Sequence, residues 1–302
     1  MKDGAEGGRL VDLGYAAVFV EESGTSGPPI VIEAGAGGCG TEWAEVAELL
    51  APRRVVRLDR PGLGSSPYAS VARDAESTAR SLHDVLVTAG ITTPIVLVGH
   101  SISGLSCRAF AHLFPEDLAG MVLVDPFDED TDDDALPRGF DTLQQVGLRL
   151  AAILARLGLK LLIARGIVIG ARRVLSQPDR PGTEQRLADI ARAVSTSRSF
   201  RAQVDTAAAV ATSRAQLRAL TWNGRFPPVP LRVLTPDSPA VNRTDRLVRI
   251  QNLQELHPRE AGASARGSHH VVAGSSHMMY LDQPRALAEH IIDVVVAASD
   301  ER

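Results

Sequence analysis

Short apolar runs and stretches of helical period take turns along most of this chain. Tyr15 to Glu21 reads as an early strand, set off by a Gly, Ser, Thr and Pro turn from Ser23 to Pro29. Pro29-Ile30-Val31-Ile32-Glu33, Arg54 to Leu58, Ile95-Val96-Leu97-Val98 and Gly120 to Val124 are apolar runs too short for helices, as expected of strands buried on both faces. Between them, Trp43 to Leu50, Ala75 to Ala89 and the stretch from Leu105 to Leu113 space their apolar residues helically. The same alternation resumes late in the chain. Leu231 to Thr235 and Val271-Val272-Ala273 read as strands and Arg246 to His257 as a helix. Pro284 opens a closing amphipathic helix through Leu287, Ile291, Ile292 and Val295. Strands alternating with helices predict an α/β domain with a mostly parallel sheet and helices on both faces.

The alternation is interrupted once. Six acidic residues lie between Asp128 and Asp134, a long helical region runs to Trp222, and Pro227-Pro228-Val229-Pro230 marks the return. The expected organisation is a first part of the core at 1–126, a helical insertion at 127–228 and a second part of the core at 229–302. Within the insertion, Arg149, Arg156 and Lys160 share one face of a helical wheel while Leu150, Ile153, Leu154 and Leu157 fill the remainder. Arg165 leaves that face, which predicts a break near Gly158 or Gly166. Most of the leucines are expected to pack the insertion onto the core, and a minority to line a pocket. The apolar run 151–169 approaches the length of a membrane span but contains Arg156, Lys160 and Arg165, which a spanning helix would hardly tolerate. Contact of this basic amphipathic region with a membrane surface is a second reading.

The central apolar run ends in Gly99-His100-Ser101-Ile102-Ser103-Gly104 and changes at once to helical period. Ser101 therefore stands on a strand-to-helix corner. Such a corner holds its apex residue in a sparsely populated backbone region, at a cost of about 1–3 kcal/mol. Small neighbours are needed where helix and strand nearly touch, and Gly99, Ser103 and Gly104 meet that need. A serine hydroxyl is a poor nucleophile unless a base within hydrogen-bond reach takes its proton and a third group orients the base.

The corner resembles the G-x-S-x-G nucleophile elbow of the α/β-hydrolase superfamily, with Ser103 in place of the last glycine. Asp59-Arg60-Pro61-Gly62-Leu63-Gly64-Ser65-Ser66 is similar to the D-R-P-G-x-G-x-S turn that follows the fourth strand of that family, a structural turn. The resemblance implies an α/β-hydrolase fold with a helical cap at the insertion, and Ser101 as nucleophile. The base it implies is His277, which follows the last strand in Ser275-Ser276-His277. The glycine-rich loop Ala34 to Gly40 would supply one oxyanion-hole amide at Ala36, and Ile102 the other. Two carboxylates could orient His277: Asp125, twenty-four residues beyond Ser101 at the end of the strand before the insertion, and Asp237, just past the strand that resumes the core. Either could reach. His100 is expected to be structural, His269 and His270 to precede the last strand, and His83, His112 and His290 to lie in helices.

The expected activity is cleavage of a carboxylic ester or lactone of a small lipophilic substrate through an acyl-enzyme. Thioesterase, carbon–carbon bond hydrolase and perhydrolase chemistry use the same triad, and a non-catalytic binder of a lipophilic molecule is the alternative of another class. No cofactor is implied. The glycine-rich loop is followed by neither Gly-Lys-Ser/Thr nor a dinucleotide fingerprint.

Composition changes this picture little. With 44% hydrophobic and 23% charged residues and a net charge of −4, the chain has the make-up of a globular protein and no basic excess for nucleic acid. Two cysteines, Cys39 and Cys107, are too few for a disulfide framework or zinc cluster. Residues 1–10 lack the apolar core of a secretory signal, so a cytoplasmic location is expected. The acidic run at 128–134 lacks the glycine and distal glutamate of a calcium loop. It is expected to be a solvated loop without metal.

Overall fold

The computed structural model describes residues 7–91, 94–131, 140–220, 226–238 and 243–299. Eight strands form one sheet: β1 (Arg9–Asp12), β2 (Ala17–Ser23), β3 (Ser26–Glu33), β4 (Arg53–Asp59), β5 (Ile95–His100), β6 (Leu118–Val124), β7 (Leu231–Pro236) and β8 (Gly267–Val272). Their spatial order is β1-β2-β4-β3-β5-β6-β7-β8. β2 runs antiparallel to both of its neighbours, β1 and β4, and every other pair is parallel. The helices are α1 (Ala44–Leu49), α2 (Ala75–Ala89), α3 (Ser103–Leu113), α4 (Phe140–Arg156), α5 (Lys160–Val174), α6 (Thr183–Val194), α7 (Ser197–Ala219), α8 (Arg243–Gln251), α9 (His257–Ala261), α10 (Met279–Asp282) and α11 (Pro284–Ser299). A π-helical turn, Asn252–Leu256, joins α8 to α9. No helix among the described residues is long and apolar enough to cross a membrane.

The two-residue period of the strands divides the core into two layers. In β5, Ile95 and Leu97 face a cluster with Leu82 and Leu86 of α2 and Phe110 of α3. Val96 and Val98 face the opposite cluster with Val46 of α1 and Leu287 and Ile291 of α11. All six residues of β5 are buried, which explains the absence of polar alternation in that run. Burying each such side chain is worth about 1.5–3 kcal/mol.

Several elements differ from the sequence expectation. β1 was not expected at all: Arg-Leu-Val-Asp is an edge strand with only Val11 buried, and so carries little apolar signal. The last strand begins at Gly267, so His269 and His270 lie inside it and do not precede it. β8 is an edge strand whose residues are mostly half-exposed, and polar side chains are tolerated there. The break in the insertion falls at Gly158, where φ is +88°. Gly166 is interior to α5. Because of that break, Lys160 starts a new helix and does not continue the face of Arg149 and Arg156.

The acidic run is also not simply a solvated loop. Asp128 is fully buried and faces Arg108 at 3.6 Å and Arg259 at 2.8 Å. Glu129 pairs with Arg108 at 2.5 Å, and Asp130 with Arg218 at 3.0 Å and Arg259 at 2.9 Å. Glu260, nearly buried, lies 3.1 Å from Arg108. Asp132, Asp133 and Asp134 lie outside the described residues. Arg108 thus sits among the carboxyl groups of Asp128, Glu129 and Glu260, largely out of reach of water. Substituting Arg108 with Met is expected to cost about 3–5 kcal/mol of stability, as loss of one member of a buried ionic network does. Urea unfolding at neutral pH would measure it, and a loss below about 1 kcal/mol would show that the network relaxes to solvent.

Candidate active site

β5 hands over to α3 at Ser101, whose φ is +56°, a left-handed conformation that serine rarely adopts. The close approach expected there is real. A Cβ added at Gly99 would lie 2.4 Å from Cys107 Sγ, and one at Gly104 would lie 2.7 Å from Pro126 Cβ. Ser103, which stands where glycine is usual, is fully buried and its hydroxyl donates to Ala34 O at 2.6 Å. The extra oxygen therefore ties the elbow to the glycine-rich loop after β3.

One strand over, β6 ends at Val124, and the next residue, Asp125, has φ of +41°. The Ser101 amide donates to Val124 O at 3.1 Å, and the Phe127 amide donates to Ser101 O at 2.9 Å. Among the described residues, Ser101 and Asp125 are the two non-glycine residues with positive φ. Backbone strain is thus concentrated at the ends of two adjacent parallel strands.

His277 follows β8 and meets Asp125: its Nδ1–H donates to Asp125 Oδ2 at 2.6 Å. That bond assigns the proton to Nδ1 and leaves Nε2 as an acceptor. The Asp125 side chain is 12% exposed and that of His277 46% exposed. Burial pushes the Asp125 carboxyl up, but the hydrogen bond and charge of His277, with help from His257 and His100, hold it below its ordinary value. Asp237, the other expected candidate, is not on the ring. It is exposed, and its Oδ1 accepts the Ser275 amide at 3.1 Å, bracing the loop that carries His277.

His100 is buried beside this pair, its ring 4.6 Å from that of His277. Its Nε2–H donates to His277 O at 2.9 Å. Burial, with His277 close by, pushes its pKa down to about 3, so it stays neutral and positions the loop. Among the described residues its Nδ1 has no hydrogen-bond partner; it faces Gly35, where an added Cβ would lie 2.8 Å away. Three of the expected bystanders have partners of their own. His83 stacks on Phe114 at 4.1 Å, His290 Nδ1 meets Arg232 at 2.9 Å, and His269 Nε2–H donates to Thr235 at 2.7 Å.

The loop after β3 is held from below by the turn after β4. Asp59 accepts the amides of Gly40 and Ser65, each at 2.7 Å, and Arg60 donates to Ala34 O and Gly35 O. An added Cβ at Gly35 would lie 3.3 Å from Ser101 Cβ, so this loop runs beside the serine. Among the described residues, no carbonyl or side chain takes up the amides of Ala36 and Ile102. Cys39 is a buried free thiol whose pKa burial pushes up to about 12, which makes it inert.

Two groups at the site escaped the sequence reading. Glu42, in the 3₁₀ turn after the glycine-rich loop, lies beneath Gly38 and accepts a hydrogen bond from the Tyr280 hydroxyl. Burial pushes its carboxyl up to about 8 against the pull of Arg60. His257 is fully buried; its Nε2–H donates to Pro126 O at 3.1 Å and its Nδ1 accepts from Thr235 at 2.6 Å. This fixes the backbone next to Asp125. Glu42 precedes Trp43 like any acid in a first turn, and His257 sits 132 residues from Asp125 in sequence, so neither carries a local signal.

The raised Glu42 pKa has a stability consequence. A carboxyl at its ordinary 4.5 when unfolded and at about 8 when folded lends stability that is fully present below pH 4.5 and is lost as pH rises through about 8. Glu42→Gln is therefore expected to flatten the fall in urea midpoint across that window. The part due to Glu260, also pushed up to about 8, would remain. An unchanged profile would show that Glu42 is hydrated.

A family described as the alpha/beta hydrolase family matches residues 30–290. Among curated relatives, a pimeloyl-[acyl-carrier protein] methyl ester esterase of Chromobacterium violaceum is 38% identical over 108 residues, 35% of this chain and 40% of its own. Lipase 1 of Psychrobacter immobilis is 28% identical over 113 residues, 37% of this chain and 36% of its own. A protein named probable transporter efuK, of Hormonema carpetanum, is 34% identical over 131 residues, 40% of this chain and 19% of its own. The chain thus spans less than half the length of these relatives. Among solved structures, Cfl2 of Burkholderia cenocepacia superposes with a TM-score of 0.71 at 22% identity, covering 95% of this chain and 94% of that one. A thermophilic esterase of Thermogutta terrifontis superposes with a TM-score of 0.67 at 18% identity, covering 97% and 99%.

Proposed function

The chain belongs to the alpha/beta hydrolase family, and from that premise we propose that it is a serine hydrolase that cleaves a carboxylic ester of a small lipophilic substrate. One observation carries the reading. Among the described residues, the two non-glycine residues held at positive φ are a serine at the tip of β5 and the carboxylate that grips the ring of His277. Strain at both positions is retained by a fold that has a use for it.

In this mechanism His277 Nε2 takes the Ser101 hydroxyl proton as the oxygen attacks the ester carbon. The oxyanion that forms is held by the amides of Ala36 and Ile102. The imidazolium, steadied by Asp125, returns the proton to the departing alkoxide, and the acyl group stays on Ser101. Water then attacks the acyl-enzyme, gives its proton to His277, and the acid leaves as Ser101 recovers its hydrogen. An epoxide hydrolase or dehalogenase of this fold would need aspartate where Ser101 stands.

The helices between β6 and β7 serve as a cap. An added Cβ at Gly37 would lie 2.5 Å from Gln203 of α7, so the insertion reaches the glycine-rich loop. The amides of Ser176 and Gln177 donate to Asp282 at 3.2 and 2.8 Å, just behind His277. The ester family of the curated esterase and lipase supports the choice of substrate. Nitrophenyl esters of increasing acyl length test it, with and without a serine-directed phosphonate. Turnover that the phosphonate stops, with the adduct on Ser101, is expected. Absence of both turnover and adduct would favour a non-catalytic binder.

A further inference from the structure

We propose that the hairpin of α4 and α5 is a docking surface for an anionic lipid bilayer. The expectation that its leucines pack mainly inward does not hold. Val146, Leu150, Ile153 and Leu157 follow one another at intervals of four, three and four residues along α4 and its end, and each is 54–71% exposed. Leu159, Leu161, Leu162, Ile169 and Val174 continue the patch through the turn and along α5, at 40–67% exposed. The greasy stripe of an amphipathic helix, which would normally face a core, here faces outward around the turn at Gly158. An exposed apolar patch of this extent marks an interaction site.

Charge decides what covers it. From residue 142 to residue 178 the chain contains Arg149, Arg156, Lys160, Arg165, Arg172 and Arg173, and no aspartate or glutamate, although the whole chain has a net charge of −4. Arg172 pairs with Asp179 and Glu184. The other five are exposed and form no ion pair among the described residues. A second copy of the same face would bring five unpaired cations against five. A spanning segment would bury them in hydrocarbon. An anionic bilayer surface accepts both features: the leucines of the turn enter the acyl boundary while the long cationic side chains reach lipid phosphates. Arg149 and Arg156 also join Arg198 and Arg201 around a cleft of about 520 Å³ on one flank of α4, where four cations face the one carboxylate of Asp205, which accepts from the Tyr68 hydroxyl; it is a place for a phosphate headgroup.

Binding is read apart from catalysis, so this proposal and the hydrolytic reading fail separately. The full chain, wild type and Ser101→Ala, is sedimented with vesicles of phosphatidylcholine alone or with a minority of phosphatidylglycerol. Partition into the anionic vesicles only, lost at high salt, is expected for both proteins. Each juxtamembrane cation contributes about fivefold to such binding, so R149Q/R156Q is expected to weaken partition on the order of 25-fold. L157D/L161D, which alters only exposed positions, is expected to abolish it while circular dichroism stays unchanged. Equal partition into neutral vesicles, or none into anionic vesicles at low salt, would overturn the proposal. So would light scattering that shows a dimer dispersed by L157D/L161D, because the occupant would then be a second copy.

Discussion

Replacing Ser101 with alanine is expected to lower turnover of a nitrophenyl ester by about six orders of magnitude, the scale seen when a triad nucleophile is removed. The loss should fall on kcat, with KM little changed, because the hydroxyl contributes to the transition state and not to holding the ground state. Alanine at φ of +56° is strained no less than serine, so the variant keeps the elbow and should unfold at a similar urea concentration. The labelling result sharpens the test. A phosphonate adduct that persists in Ser101→Ala would mean that another side chain carries the chemistry, and turnover within tenfold of wild type would end the proposal.

The features that sequence made visible are those with a local cause. β5 shows as an apolar run because both of its faces are covered, and Ser101 is marked by the change from strand to helical period with Gly99 and Gly104 around it. The break at Gly158 is likewise written in a charged face that cannot continue. What stayed hidden depends on residues far apart in the chain. Arg108 looks like a helix surface residue until α9 brings Glu260 and the loop brings Asp128 to it. Glu42 acquires its raised pKa only through burial in the folded chain, against the pull of Arg60 and the Tyr280 hydroxyl. The outward turn of the α4 leucines is hidden for a related reason: periodicity reveals that a helix has an apolar face but not what that face meets.

The choice between the two aspartates belongs to this second class, and it yields the most discriminating experiment. Asp125→Asn is expected to reduce kcat by about four orders of magnitude. An asparagine amide turned toward the ring would offer N–H where His277 Nδ1 now donates at 2.6 Å, moving the ring proton to Nε2 and removing the base. Asp237→Asn should change kcat only a fewfold, because its carbonyl oxygen can still accept the Ser275 amide. The pH profile separates the roles further. Asp125 is held below its ordinary 3.8, so the stability it lends is present above that value and is lost only as pH falls through its lower folded pKa. Asp125→Asn should therefore reduce stability at neutral pH and lose less on acidification. Comparable kcat losses in both variants would mean that the loop as a whole, and not one carboxylate, orients His277.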